Sequence, residues 1–184
     1  MSFVKHALIS LLTLGDAYGS QLGSEILCRS GHKLNTGQIY STLDRLQSEG
    51  LVTTTGATAD GLQLLSVTEA GAQAVHNWAK TPAESYTDMV AKVSLLATVD
   101  AQLFATAVRV QRDYWVAKDN SFELQHGNNY PHQVFTEEAT TLLAGAAFAW
   151  LSHAEKIGAA PLPLNAERPK RGRPSTKKRP PSFT

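Results

Sequence analysis

Apolar residues recur along this chain with two periods. Phe3, Ala7, Leu8, Leu11 and Leu12 follow helical spacing, and Gly15-Asp16 ends that element. Leu22, Ile26 and Leu27 mark a second helix from about Ser20 to Arg29, broken by Ser30-Gly31-His32. A third begins at Asn35. Its side chain can accept from a main-chain N–H, and Gln38 three residues on completes a capping-box pattern. Ile39, Leu43 and Leu46 form its apolar stripe, and Gly50 closes it. The period then drops to that of a strand. Residues 51–55 and 62–67, rich in β-branched residues around a Gly/Asp turn, predict a hairpin. Thr68 caps a fourth helix that reaches about Lys80, and Thr81-Pro82 ends it.

Beyond Tyr86 the pattern is helical throughout. One helix carries Met89, Val90, Val93 and Leu96. A longer one starts at the N-cap Asp100 and carries Leu103, Phe104, Ala107, Val108, Gln111, Tyr114, Trp115 and Lys118. Residues 126–131 read as a loop. A last helix, about 132–157, carries Phe135, Ala139, Leu142, Leu143, Ala146, Trp150 and Ile157 as its apolar stripe, and Gly158 stops it. The rest is Pro-rich, basic and low in complexity, a composition that cannot bury enough apolar surface to fold alone. The expected fold is mainly α. A winged helix-turn-helix with a two-stranded wing (1–82) precedes a helical dimerisation and effector domain (83–158) and a disordered basic tail (159–184).

Charge sharpens this outline. The chain has 184 residues and a formal net charge of +1. The last twenty residues hold Arg168, Lys170, Arg171, Arg173, Lys177, Lys178 and Arg179 against Glu167, a net of +6, so the first 164 carry −5. An acidic body with a basic tail points to a nucleic-acid or membrane partner for the tail. The single cysteine, Cys28, excludes a disulfide scaffold or a Cys-based zinc site, and its helical position suggests packing. No apolar run approaches the ~20 residues of a membrane span, and the apolar stretch after Lys5 reads as a buried helix rather than a signal peptide. Gly15, Gly19 and Gly23 are read as turn glycines. The six histidines form no ligand-spaced motif, no nucleotide or hydrolase fingerprint is present, and neither an enzyme nor a cofactor is expected.

Three helices and a hairpin suit DNA. The third helix fits the major groove, and the hairpin reaches the flanking backbone. Between its apolar positions the third helix offers Thr36, Gln38, Tyr40, Ser41, Asp44 and Arg45. Arg45 can bond phosphate or a guanine edge, Gln38 can read adenine, and Thr36 and Ser41 can hold phosphates. Lys33 and His32 lie just ahead of the helix. An ordinary solvated helix face would have the same period.

The ordered set Ala7-Leu8-x-x-Leu11-Leu12, Gly15, Tyr18-Gly19-x-x-Leu22, Asn35-Thr36-Gly37-Gln38-Ile39-Tyr40-x-x-Leu43-x-Arg45-Leu46, Gly50-Leu51-Val52 and Thr68-Glu69-Ala70-Gly71 resembles the PadR family of bacterial transcriptional regulators. The resemblance is ordered over residues 5–72 and looser across the C-terminal helices, which resemble the longer of two PadR architectures. It implies a homodimeric winged-helix repressor, and the expected location is the bacterial cytoplasm, associated with the nucleoid. It also implies C-terminal helices that pair subunits and often help to sense a small molecule. It puts Tyr40 and Arg45 on the recognition helix, with Gly37 in its first turn where DNA approaches closely. Phe104, Tyr114, Trp115, Phe148 and Trp150 can line an aromatic effector pocket at a dimer interface, or can simply fill the helical core. One departure stands out. The family's wing commonly carries basic residues, but no Lys or Arg occurs here between Arg45 and Lys80.

The tail supplies what the wing lacks. Lys170, Arg171, Gly172, Arg173 and Pro174, followed by Lys177, Lys178 and Arg179, resemble an AT-hook. Gly172 lets the backbone lie close to the minor-groove floor, the prolines keep the strand extended, and two arginines point along a narrow A·T-rich groove. The expected partners are double-stranded DNA, a second copy of the chain and a small aromatic effector, with no membrane. Two alternatives remain at this stage. One is an architectural protein binding A·T-rich DNA with low specificity, and the other is a protein-interaction module that has lost DNA binding.

Overall fold

The computed structural model describes residues 3–123 and 131–165. The elements run α1 (Phe3–Leu12), α2 (Gly19–Ser30), α3 (Thr36–Ser48), β1 (Val52–Ala57), β2 (Gln63–Val67), α4 (Glu69–Ala79), α5 (Tyr86–Ala97), α6 (Ala101–Glu123) and α7 (Pro131–Ile157). The predicted caps form. Asn35 accepts from Gln38 N at 2.7 Å, Thr68 accepts from Gly71 N at 3.1 Å, and Asp100 accepts from Gln102 N and Leu103 N at 2.8 Å each. Ser85 caps α5 in the same way through Asp88 N. At the end of α3, Gly50 takes φ +70° and Leu51 N returns to Leu46 O at 2.9 Å. This is a left-handed stop that a side chain would strain.

α1 is the axis of the core. Ala7, Leu8, Ile9 and Leu11 are each 0% exposed, so apolar side chains on every side of it are covered. Its stripe therefore has no solvent side, as expected of a helix buried all round. α2 crosses α3 closely, and glycine makes that possible. A Cβ on Gly23 would meet Ile39 Cδ1 at 2.5 Å, and one on Gly19 would meet Tyr40 Cε1 at 2.9 Å. These two glycines are contact surfaces, not the turn residues expected; only Gly15 of the three, with φ +146°, serves a turn.

β1 and β2 pair antiparallel with a bulge between Thr54 and Gly56. Ala17 adds one further bridge, exchanging both main-chain bonds with Leu65 at 3.0 and 2.9 Å. The wing root is thereby stitched to the α1–α2 turn. At the tip, Thr58 bonds Asp60, and Gly61 takes φ +80°.

α5 lies against α1 and α2, and α6 packs on α5 and α7. The predicted stripe of α6 is the buried one, including Gln111, whose amide holds both main-chain groups of Ala83 at 2.9 and 2.8 Å. α7 departs from expectation. Its inward residues are Ala144, Ala147 and Leu151, while Phe135, Leu142, Leu143 and Ile157 of the predicted stripe are exposed. Small residues let α7 approach α6 closely, so the large apolar side chains point away. Cys28, expected to be packed, is exposed on α2.

Candidate nucleic-acid interface

The amphipathic period of α3 separates two jobs. Ile39, Thr42, Leu43 and Leu46 are buried against the core. Thr36, Gly37, Gln38, Tyr40, Ser41, Asp44 and Arg45 are all exposed, with Lys33 just ahead of the helix. The residues selected from the sequence therefore fall on one continuous outward face. Nothing lies near Gly37 except Asn35 Oδ1, 3.5 Å from where its Cβ would be, so the first turn of α3 is open to close approach. The free N–H groups of that turn suit phosphate oxygens.

The wing is held beside this face by polar contacts. Thr54 Oγ1 accepts from Gln47 of α3 at 2.8 Å and from Gln63 of β2 at 2.5 Å. Asp16 accepts from Thr55 Oγ1 at 2.7 Å, and the hydroxyls of Thr55 and Ser66 hold its carboxyl below the usual range. A cleft of about 120 Å³ separates α3 from the wing, lined by Tyr18, Gly19, Tyr40, Asp44, Gln47 and Gln63 among others.

The electrostatics are sparse. Glu49 accepts from Lys5 at 2.5 Å, and that bond, with the charges of Lys5 and Arg45, holds its carboxyl low. Arg45 Nε stands 3.9 Å from the same carboxylate and stays half-exposed, so its guanidinium can turn outward. Lys33 and Arg45 are the cations of the face, and Asp44 offsets one of them. His32 is partly buried with its ring 4.9 Å from that of Phe3, so it is engaged with α1.

The aromatic set of the C-terminal helices divides. Phe104 and Trp150 line a cavity of about 250 Å³ between α5, α6 and α7, together with Val93, Ala97, His153 and Ile157. Trp115 is 1% exposed with its indole N–H on Met89 S at 3.2 Å, a core position. Tyr114 donates to Glu84 O at 3.3 Å, and Phe148 packs half-buried on the core. The tail residues Lys170, Arg171, Gly172, Arg173, Pro174, Lys177, Lys178 and Arg179 lie outside the described residues.

Sequence reasoning missed two features. Lys92 is 2% exposed, donates to Trp78 O at 2.5 Å and to Thr81 O, and stands 5.1 Å from the Trp78 ring. Its burial joins the end of α4 to α5, and no local pattern marks it. Arg29 and Glu25 of α2 form a buried pair at 2.6 Å. Their i,i+4 spacing could have flagged the pair, though not its burial.

Three helices, a bridged hairpin and an outward polar helix define a winged helix-turn-helix of the DNA-binding class. A family model described as the transcriptional regulator PadR-like family matches residues 8–77. That match covers the winged helix-turn-helix and stops within α4. No curated protein matches the chain. Among solved structures, it is similar to Bacillus subtilis PadR in complex with operator DNA, at 20% identity over 85% of this chain and 97% of that one (TM-score 0.39). It is also similar to Bacillus subtilis PadR in complex with p-coumaric acid, at 18% identity over 84% and 93% (TM-score 0.38). The Vibrio cholerae virulence activator AphA is similar at 19% identity over 84% and 95% (TM-score 0.37). Among the described residues no helix is long and apolar enough to cross a membrane.

Proposed function

We propose that this protein is a sequence-specific repressor. It binds a pseudo-palindromic operator as a homodimer, with α3 in the major groove and the basic tail in neighbouring A·T-rich minor groove. The observation that carries the reading is the exposed face of α3 from Thr36 to Arg45, held beside the wing and open at Gly37. Gln38 and Arg45 read base edges there. Lys33, Thr36, Ser41 and Tyr40 meet phosphates. The exposed Phe135, Leu142 and Leu143 on α7 favour a second copy as the covering partner. Two-fold pairing of the chains then gives the operator its symmetry. The cavity beside Phe104 and Trp150 suits a small, largely apolar planar effector.

Charge assigns the tail its part. The wing has no Lys or Arg, and the net +6 lies in residues 165–184. Phosphate neutralisation supplies most non-specific affinity, so the tail provides most of the salt dependence. The test is DNA affinity against salt for the full chain and for one ending at Asn165. With seven basic residues in each tail, the slope of log K against log salt falls by up to about 6 per chain. An unchanged slope would remove the tail from the interface. Affinity that non-specific DNA competes away as readily as it does for random sequence would favour an architectural role over an operator-binding one.

A further inference from the structure

α7 stops at Gly158, with φ +77°. The chain beyond it was expected to be disordered from residue 159, but residues 160–165 are tied down. Ala160 N donates to Ala97 O and Leu162 N to Thr98 O, both at 2.9 Å, which lays the segment along the end of α5. Arg29 of α2 then grips it. Its Nη1 donates to Thr98 O at 3.0 Å and Leu162 O at 3.1 Å, and its Nη2 donates to Pro163 O at 2.8 Å. Glu25 fixes the guanidinium through Nε at 2.6 Å, and its other oxygen accepts Asn165 N at 2.9 Å. Gln21 Nε2 donates to Asn165 O at 2.8 Å.

The Arg29 and Glu25 side chains are only 6% and 8% exposed. A guanidinium taken that far out of water is costly unless its donors are used. Here they are used on the Glu25 carboxylate and on main-chain carbonyls of the α5 end and of the segment after α7, so the arrangement is a backbone clamp. It delivers Asn165 to the first turn of α2. That turn begins at Gly19, the residue in contact with Tyr40 of the recognition helix. The basic tail thus starts from the N-terminal end of α2, the helix whose Gly19 and Gly23 pack on α3.

We propose that Arg29, Glu25 and Gln21 are positioning residues that set the distance between the major-groove site and the minor-groove site. The inference rests on the tail binding A·T-rich DNA. Six residue steps separate Asn165 from Arg171, a reach of at most ~20 Å, or about six base pairs. From Gly158 the count is thirteen steps, ~43 Å and about thirteen base pairs. The clamp halves the reach. Effective concentration falls as about the −3/2 power of tether length, so release weakens tail engagement about threefold at the preferred spacing.

Selection of bound sequences from random duplexes tests this with the full-length protein. The comparison uses the native chain, Arg29→Gln, a chain with six Gly/Ser residues inserted after Asn165, and one ending at Asn165. The native protein is expected to select a core with an A·T tract at a narrow spacing. Arg29→Gln and the insertion should keep both but spread the spacing about twofold, with about threefold weaker binding at the native optimum. The insertion leaves Arg29 and Glu25 intact, so it answers even if Arg29→Gln folds poorly. Equal spacing in the native chain and the insertion variant would overturn the positioning role while leaving the tail's DNA contact standing. Selection of the same tract-free sites by the native chain and the chain ending at Asn165 would sink the tail reading and this inference with it.

Discussion

Gly71 is the residue whose replacement by alanine should harm this fold most for its size. It sits in the first turn of α4, against the start of the wing. A Cβ there would lie 2.2 Å from Leu51 O and 2.7 Å from Val67 Cγ2. Leu51 O is not free to yield, because it accepts Thr68 N at 3.1 Å, and Thr68 Oγ1 donates to Gly50 O at 2.8 Å. Restoring ordinary contact needs a shift of roughly 1 Å in a backbone carbonyl. Overpacking of this kind costs about 1–3 kcal/mol, and loss of the Thr68–Leu51 bond adds about 1 kcal/mol. Better helix propensity returns at most about 1 kcal/mol. The net loss is about 1–3 kcal/mol, or roughly 2–12 °C in Tm for a chain of this size. Urea denaturation followed by circular dichroism measures it, with Gly37→Ala as the control. At Gly37 the nearest atom is 3.5 Å away, so alanine should leave stability within about 0.5 kcal/mol. If Gly71→Ala were as stable as Gly37→Ala, the close packing of α4 on the wing would be wrong.

Other consequences can be checked as directly. Burial pushes the Lys92 ammonium down to about 8 from its ordinary 10.5. Between those values the unfolded chain holds a proton that the folded one has released, so stability rises with pH through that window and is lost again as pH falls towards 8. Lys92→Met should flatten this rise, worth at most about 3 kcal/mol, in urea midpoints taken at pH 7.5 and 10. An equally steep rise in the variant would mean that Lys92 is not the group responsible. Arg45→Ala should cost about 1–3 kcal/mol of operator binding with the fold unchanged; retained affinity in a fluorescence-anisotropy titration would point instead to a protein-interaction module. Leu142, 68% exposed in the single chain, should tolerate Asp without unfolding, yet Leu142→Asp should shift the protein to monomer in light scattering. An unchanged dimer would move the pairing surface off this face of α7.

Much of the fold was legible because it is set locally. The Asn35 and Thr68 caps are short-range competitions between a side chain and its own backbone, and they formed as read. The outward polar face of α3 was legible for the same reason, since one helix presents its polar and apolar residues to opposite sides by period alone. α7 resisted this reading. Its large residues suggested an inward stripe, but Ala144, Ala147 and Leu151 face α6. A period finds a face, and the neighbouring element decides whether small or large residues fill the gap.

What the sequence determined by itself was the order of helices and strands, the polar face of α3 from Thr36 to Arg45, and the segregation of +6 into the last twenty residues. These depend on caps, periods and covalent order, which act over a few residues. What only the tertiary structure decided was where distant segments meet. Ala17 bridges the wing, Gly71 seats α4 under it, Lys92 is buried below Trp78, and Arg29 holds the chain near Leu162, 133 positions away. Each of these is a contact between elements, and its burial, its close approach or its bond to a main-chain oxygen exists only once the helices have packed.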